Sequence, residues 1–138
     1  MSHTVDTSWH PNQGVADQIV ALLAEFLKPG ADQAQVVAHL NLAKTEPDFG
    51  NYVACIFAYG DGLPLEVRQS AGLLLKNALA AAHSPPPSAY VCRALLPMLV
   101  DPRRALRHVA GSCATCFVSR RGLGGWPELV PALAATLA

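Results

Sequence analysis

The side chains best suited to chemistry in this 138-residue sequence are the thiols of Cys113-Ala-Thr-Cys116. Such a pair performs dithiol–disulfide exchange when it opens a helix that follows a strand, because the helix dipole then lowers the pKa of the first thiol. Here it falls about a dozen residues into a helical stretch, with Cys113 on the apolar side. A zinc site needs two more ligands, and only His108 is near in sequence, since Cys55 and Cys92 belong to other helices. The pair reads first as core packing, with zinc binding and redox activity as lesser alternatives. Gly122-Leu-Gly-Gly125 has neither the Lys-Ser/Thr ending nor the preceding strand of a phosphate loop, and reads as a turn between helices. His3, His10, His39, His83 and His108 form no His-Glu-x-x-His motif and no Ser/His/Asp set. No catalytic residue, cofactor or metal site is expected. Arg103, Arg104 and Arg107, with Arg120 and Arg121 at the far end of the same helix, form a basic ridge. That ridge is either a solvated face or a contact for an acidic partner.

The elements that position these residues follow from composition. Apolar residues make up 51% of the chain and charged residues only 14%, against about 25% charged in ordinary soluble domains. Ala (23) and Leu (19) outnumber Val and Ile (14 together), which favours helix and argues against an all-β fold. Disorder is excluded by the apolar fraction. The longest apolar run, Tyr52 to Tyr59, has eight residues, and a membrane span needs about 18 or more. Met1 to Pro11 lacks the basic and apolar regions of a signal peptide, so a cytosolic or nuclear location is the expectation. Residues 1–66 hold eight acids and two bases, and residues 67–138 two acids and eight bases, so a net charge of zero divides into −6 and +6. This split is either chance or a match to a partner bearing both signs. A nucleic-acid binder would be basic as a whole, so no direct nucleic-acid contact is expected.

Pro11, Pro47, Pro87 and Pro127 recur at spacings of 36, 40 and 40 residues, each before a helix-like stretch. Two amphipathic segments follow each of the first three. Val15, Ile19, Leu22 and Phe26 mark the first helix, stopped by Lys28-Pro29-Gly30. Asp32 caps a second carrying Val36, Val37, Leu40 and Ala43. Phe49 to Tyr59 breaks at Gly60-Asp61-Gly62. A helix over Pro64 to His83 then places Val67, Ala71, Leu74, Leu75, Ala78, Leu79 and Ala82 on one stripe, opposite Gln69, Leu73, Lys76, Asn77 and Ala80. After Ser88 to Val100, Asp101 is expected to cap a helix with Pro102 in its first turn. Leu106, Val109, Ala110, Cys113 and Phe117 form its buried side, and Arg104, His108, Ser112 and Thr115 face away. A fourth unit starts at Trp126 with one helix. A period near 40 with two helices per unit predicts an all-α HEAT-repeat solenoid of about three helix pairs plus the first helix of a fourth. The expected divisions are a tail over 1–10 and repeats over 11–46, 47–84, 85–122 and 126–138, the last incomplete. The chain thus reads as the opening segment of a longer array, with Leu129, Leu133 and Leu137 exposed at its end.

Four motifs carry a family resemblance: Trp9-His-Pro11, Glu46-Pro-Asp-Phe-Gly-Asn-Tyr-Val53, Arg68-Gln-Ser-Ala-Gly-Leu-Leu-Leu-Lys-Asn77 and Gly125-Trp-Pro-Glu-Leu-Val-Pro-Ala-Leu133. In order and spacing they resemble the N-terminal HEAT repeats of the importin-β superfamily, the Trp-x-Pro and Pro-Asp-Phe-x-Asn-Tyr elements pointing to its karyopherin-β2 branch. The resemblance implies a nuclear import receptor that shuttles between cytoplasm and nucleus. Its N-terminal arch would bind the small GTPase Ran in the GTP form. Cargo with nuclear localisation signals would bind through C-terminal repeats this chain does not contain, and nucleoporins are further partners. In a solenoid the second helices line the concave side, so matching positions make Lys76 and Asn77 the first candidates for Ran contact, followed by Gln69 and Leu73. Asn77 has the alternative of bracing a neighbouring repeat. Phe49, Tyr52 and Trp126 are expected to pack. The alternative to Ran binding is a HEAT-repeat scaffold with an unrelated partner.

Overall fold

The computed structural model describes residues 9–30, 32–46, 48–81 and 88–137. Seven α-helices run through them: α1 (Gln13–Leu27), α2 (Gln33–Ala43), α3 (Phe49–Tyr59), α4 (Leu65–Ala80), α5 (Ala89–Met98), α6 (Arg104–Arg121) and α7 (Leu129–Leu137), with a 3-10 turn at Leu123–Gly125. Among the described residues there is no strand, and no helix is long and apolar enough to cross a membrane. Pro47 and Pro87, two of the four periodic prolines, lie outside the described residues, as do Ala82 and His83.

Within pairs, α1 packs on α2, α3 on α4, and α5 on α6. Between pairs, α3 packs on α5 and α4 on α6. First helices therefore form one layer and second helices another, the arrangement of a HEAT-repeat solenoid. The first pair joins differently, because α1 leans across onto α4 more than onto α3. That tilt explains why α1 buries Ile19 and Leu23 while Phe26, placed on its apolar stripe by spacing, stays 38% exposed. In α2 the same geometry buries Val36 and Leu40 and leaves Val37 at the surface. The side chains of Asn12, Asp32 and Ser88 cap α1, α2 and α5 by accepting the N–H groups of Val15, Gln35 and Val91.

Two expected boundaries move. The α4 helix stops at Ala80 rather than at His83. The α6 helix begins at Arg104, not at Pro102, because Asp101 caps no helix. Its carboxylate accepts the Arg103 backbone N–H at 2.8 Å and the Arg103 guanidinium at 2.9 Å through both oxygens, which turns the chain once more before the helix starts. This bidentate pairing holds the Asp101 carboxyl below the usual carboxylate range, chiefly through the Arg103 side chain.

The layers are tied together at two edges. At one, Arg68 of α4 is 1% exposed, its guanidinium donating to Phe57 O through Nε (3.1 Å) and Nη2 (2.9 Å), and to Ala58 O through Nη2 (3.2 Å). It thereby completes the last turn of α3 from a neighbouring helix, where backbone carbonyls otherwise lack partners. At the other edge Trp9 donates Nε1–H to Asp48, packs edge-on against Tyr52 of α3 with ring centroids 5.2 Å apart, and lies 4.7 Å from the ring of Tyr90 in α5. The Tyr52 hydroxyl accepts the Asn12 N–H, and Ser88 donates its hydroxyl to Asn51. The Trp-x-Pro and Asp-Phe-x-Asn-Tyr motifs are thus two halves of one joint across three helix pairs.

Candidate functional site

The Cys113–Cys116 pair lies inside α6, whose apolar stripe of Leu106, Val109, Ala110, Cys113 and Phe117 is buried against the rest of the fold. Cys113 donates its S–H toward the Gly72 carbonyl at 3.5 Å. Burial, then the neighbouring Cys116, push its pKa up to about 12, against a smaller opposing pull from the Lys76 ammonium. A thiol in that state is a poor nucleophile. Cys92 is raised to about 11, by burial first and then by Glu128. Among the described residues no three His, Cys, Asp or Glu side chains converge on a point that could hold a metal. Under native conditions iodoacetamide should therefore leave Cys113 unmodified at pH 7.5, with full reaction only in denaturant. Mass spectrometry of the alkylated peptides reads this directly, and rapid native labelling of Cys113 would contradict its placement.

What remains is the outward face of the second helices. Four positions of α4 mark it: Gln69 and Lys76 half-buried, Leu73 44% exposed and Asn77 exposed. They divide between two grooves. Gln69 lies on the α6 side, in a groove with Arg104, Ala105, His108, Val109 and Ser112. Lys76 follows Gln69 by seven residues, two turns, and so shares its side of α4. Leu73 and Asn77 face the first pair, in an apolar groove where α1 supplies Phe26, α2 supplies Val37 and Asn41, and Lys44 follows α2. The Asn77 side chain makes no hydrogen bond among the described residues. Phe26 and Val37 were not foreseen here, because spacing within their own helices assigns both to the core. Their signal lies in the angle at which α1 crosses α4, which no single helix encodes.

Phe49, Tyr52 and Trp126 are buried, at 7%, 5% and 1% exposure. Trp126 packs edge-on against Phe117 at 5.1 Å, beyond the turn where Gly122 takes φ +72°. This turn draws Leu129 into the core, so the exposed apolar residues of α7 are Val130 and Leu133, not Leu129. The side chain of Leu137 lies outside the described residues. The basic ridge is also altered, since Arg103 and Arg107 both bind Asp101, Arg107 through its carbonyl at 2.9 Å.

Against known proteins, residues 37–105, half of the chain, match the importin-beta N-terminal domain family. The chain is 37% identical over 128 residues to Transportin-1 of Oryza sativa subsp. japonica, an alignment covering 91% of this chain and 14% of that protein. It is 32% identical over 127 residues to Importin subunit beta-2 of Schizosaccharomyces pombe (85% and 14%). To Transportin of Dictyostelium discoideum it is 31% identical over 131 residues (92% and 14%). The chain thus spans 14% of the length of these relatives.

Proposed function

Because this chain belongs to the importin-β N-terminal domain family, we propose that it forms the Ran-binding end of a nuclear import receptor that moves between cytoplasm and nucleus. It acts by binding, not by catalysis. The observation that supports this reading is the open face of α4, where Gln69, Leu73, Lys76 and Asn77 project between two grooves instead of packing into the core. In this reading those side chains, all on the second helix of a pair, would meet the partner from one side of the array. Cargo with nuclear localisation signals would engage C-terminal repeats of the receptor, and nucleoporins are further partners in this reading. Nuclear Ran-GTP would displace cargo by negative coupling between the two sites, which by linkage is reciprocal.

The purified chain should retain Ran loaded with GTP and not Ran loaded with GDP. Lys76→Glu should weaken retention about five- to tenfold, as expected when a contact charge is reversed at a solvent-accessible interface. Affinity capture with each nucleotide state, followed by titration calorimetry, measures both effects. Equal binding of the two states would sink this reading, and neglect of both would leave a HEAT-repeat scaffold with an unrelated partner.

A further inference from the structure

The groove between α4 and α6 has a volume of about 490 Å³ and is lined by Gln69, Arg104, Ala105, His108, Val109 and Ser112. Arg104 brings a guanidinium that can only donate, Gln69 an amide and Ser112 a hydroxyl that can turn a donor toward an anion, and no carboxylate is among the lining residues. The nearest acid on α4, Glu66, precedes Gln69 by a turn and is not among the lining residues.

Of the three arginines that open α6, two are already matched. Arg103 forms the bidentate pair with Asp101, and Arg107 donates to the Asp101 carbonyl. Arg104 has neither. The contact the structure gives it is a long one, Nε–H to His108 Nε2 at 3.4 Å, well beyond the range of charge-assisted bonds. A guanidinium at the mouth of this groove, held by one weak contact, is matched by an anionic acceptor that replaces it. We infer that the groove between α4 and α6 receives a carboxylate side chain of the docked protein partner, with Arg104 as its counter-charge and Gln69 and Ser112 as flanking donors. This rests on the reading of the second-helix face as the GTPase-docking face, and assigns that partner an acidic residue opposite α6. The apolar groove beside Leu73 would then lie next to an ionic one, so the contact selects for charge pattern as well as shape.

A hexaglutamate peptide serves as the probe. Titrated into the intact chain, it should shift the backbone NMR signals of Gln69, Arg104, His108 and Ser112. Arg104→Gln should weaken its binding about fivefold, in the range expected for an exposed ion pair. Arg104→Lys should stay within about twofold, and Lys28→Gln, at the far end of the chain, should have no effect. Circular dichroism verifies that each variant folds. Shifts confined to Arg120 and Arg121, or binding indifferent to Arg104→Gln, would overturn the inference. Titration with Ran-GTP separates the two readings. If Ran-GTP binds wild type and Arg104→Gln alike at every salt concentration, the carboxylate site falls and the Ran reading stands. If hexaglutamate binds in an Arg104-dependent way while Ran is ignored in both nucleotide states, the site stands and the Ran reading falls.

Discussion

With Arg68 replaced by Ala, the unfolding free energy of the chain is expected to fall by about 3–5 kcal/mol. Two costs combine. The carbonyls of Phe57 and Ala58, which accept three guanidinium hydrogen bonds, lose their partners where α4 covers the end of α3. The almost fully buried side chain also leaves a void. Arg68→Lys should recover only part of the loss, because an ammonium cannot reproduce the planar fork that reaches both carbonyls. The neighbouring ion pair predicts the opposite. Asp61 stands 3.6 Å from Arg68 Nη1 with its side chain 87% exposed, so Asp61→Asn should cost less than about 0.5 kcal/mol. Urea denaturation of the three variants tests the set. A loss below about 1 kcal/mol for Arg68→Ala would show that water can take over both carbonyls.

Gly72 is the second point of high sensitivity. A Cβ placed there would lie 2.6 Å from Val109 Cγ1 and 2.7 Å from Phe57 Cδ1, and both of those side chains are buried. The absent side chain lets α4 approach α3 and α6 at once, and the Cys113 thiol meets the Gly72 carbonyl at that crossing. Gly72→Val should therefore destabilise the fold by about 3 kcal/mol or more, through overpacking that closely packed neighbours cannot relieve. Gly72→Ala should cost about 1–2 kcal/mol, because the clash is offset in part by the roughly 1 kcal/mol by which Ala favours a helix over Gly. The mechanism has a specific signature. In Gly72→Ala combined with Val109→Ala, the loss should be smaller than the sum of the two single losses, since the shortened Val109 vacates the space that the new Cβ fills. Additive losses would place the strain elsewhere.

The long helices were readable because their burial repeats often enough to fix a phase. In α6 five core residues recur over 18 positions, and all five are buried. The cap at Asp32 was equally local, set by a side chain and an N–H three residues away. Arg68 was quoted only as part of a motif, because a charged side chain beside Val67 reads as solvated by default. What buries it is the end of a different helix. Phe26 and Val37 fail for the converse reason, their phase being sound within each helix while the partner surface is rotated. At Asp101 a helix cap and an Arg pair competed for one carboxylate, and the pair two residues away took both oxygens. On the candidate face, the outward direction of Gln69, Leu73, Lys76 and Asn77 was legible from α4 alone. Its separation into an ionic and an apolar groove depends on α1, α2 and α6, and became visible only with all four helices in place.

The Trp9 joint has a temporal consequence. Trp9 stands ahead of α1, yet one of its ring partners, Tyr90, belongs to the fifth helix, roughly 80 residues downstream. A ribosome delivers the chain in order at about 5–20 residues per second, so Trp9 waits several seconds for Tyr90 to be made. During that interval the first helix pair can rest only on contacts to the second, and the aromatic face of Trp9 is open to whatever meets the nascent chain. Trp9 is therefore made well before one of the two rings that hold it.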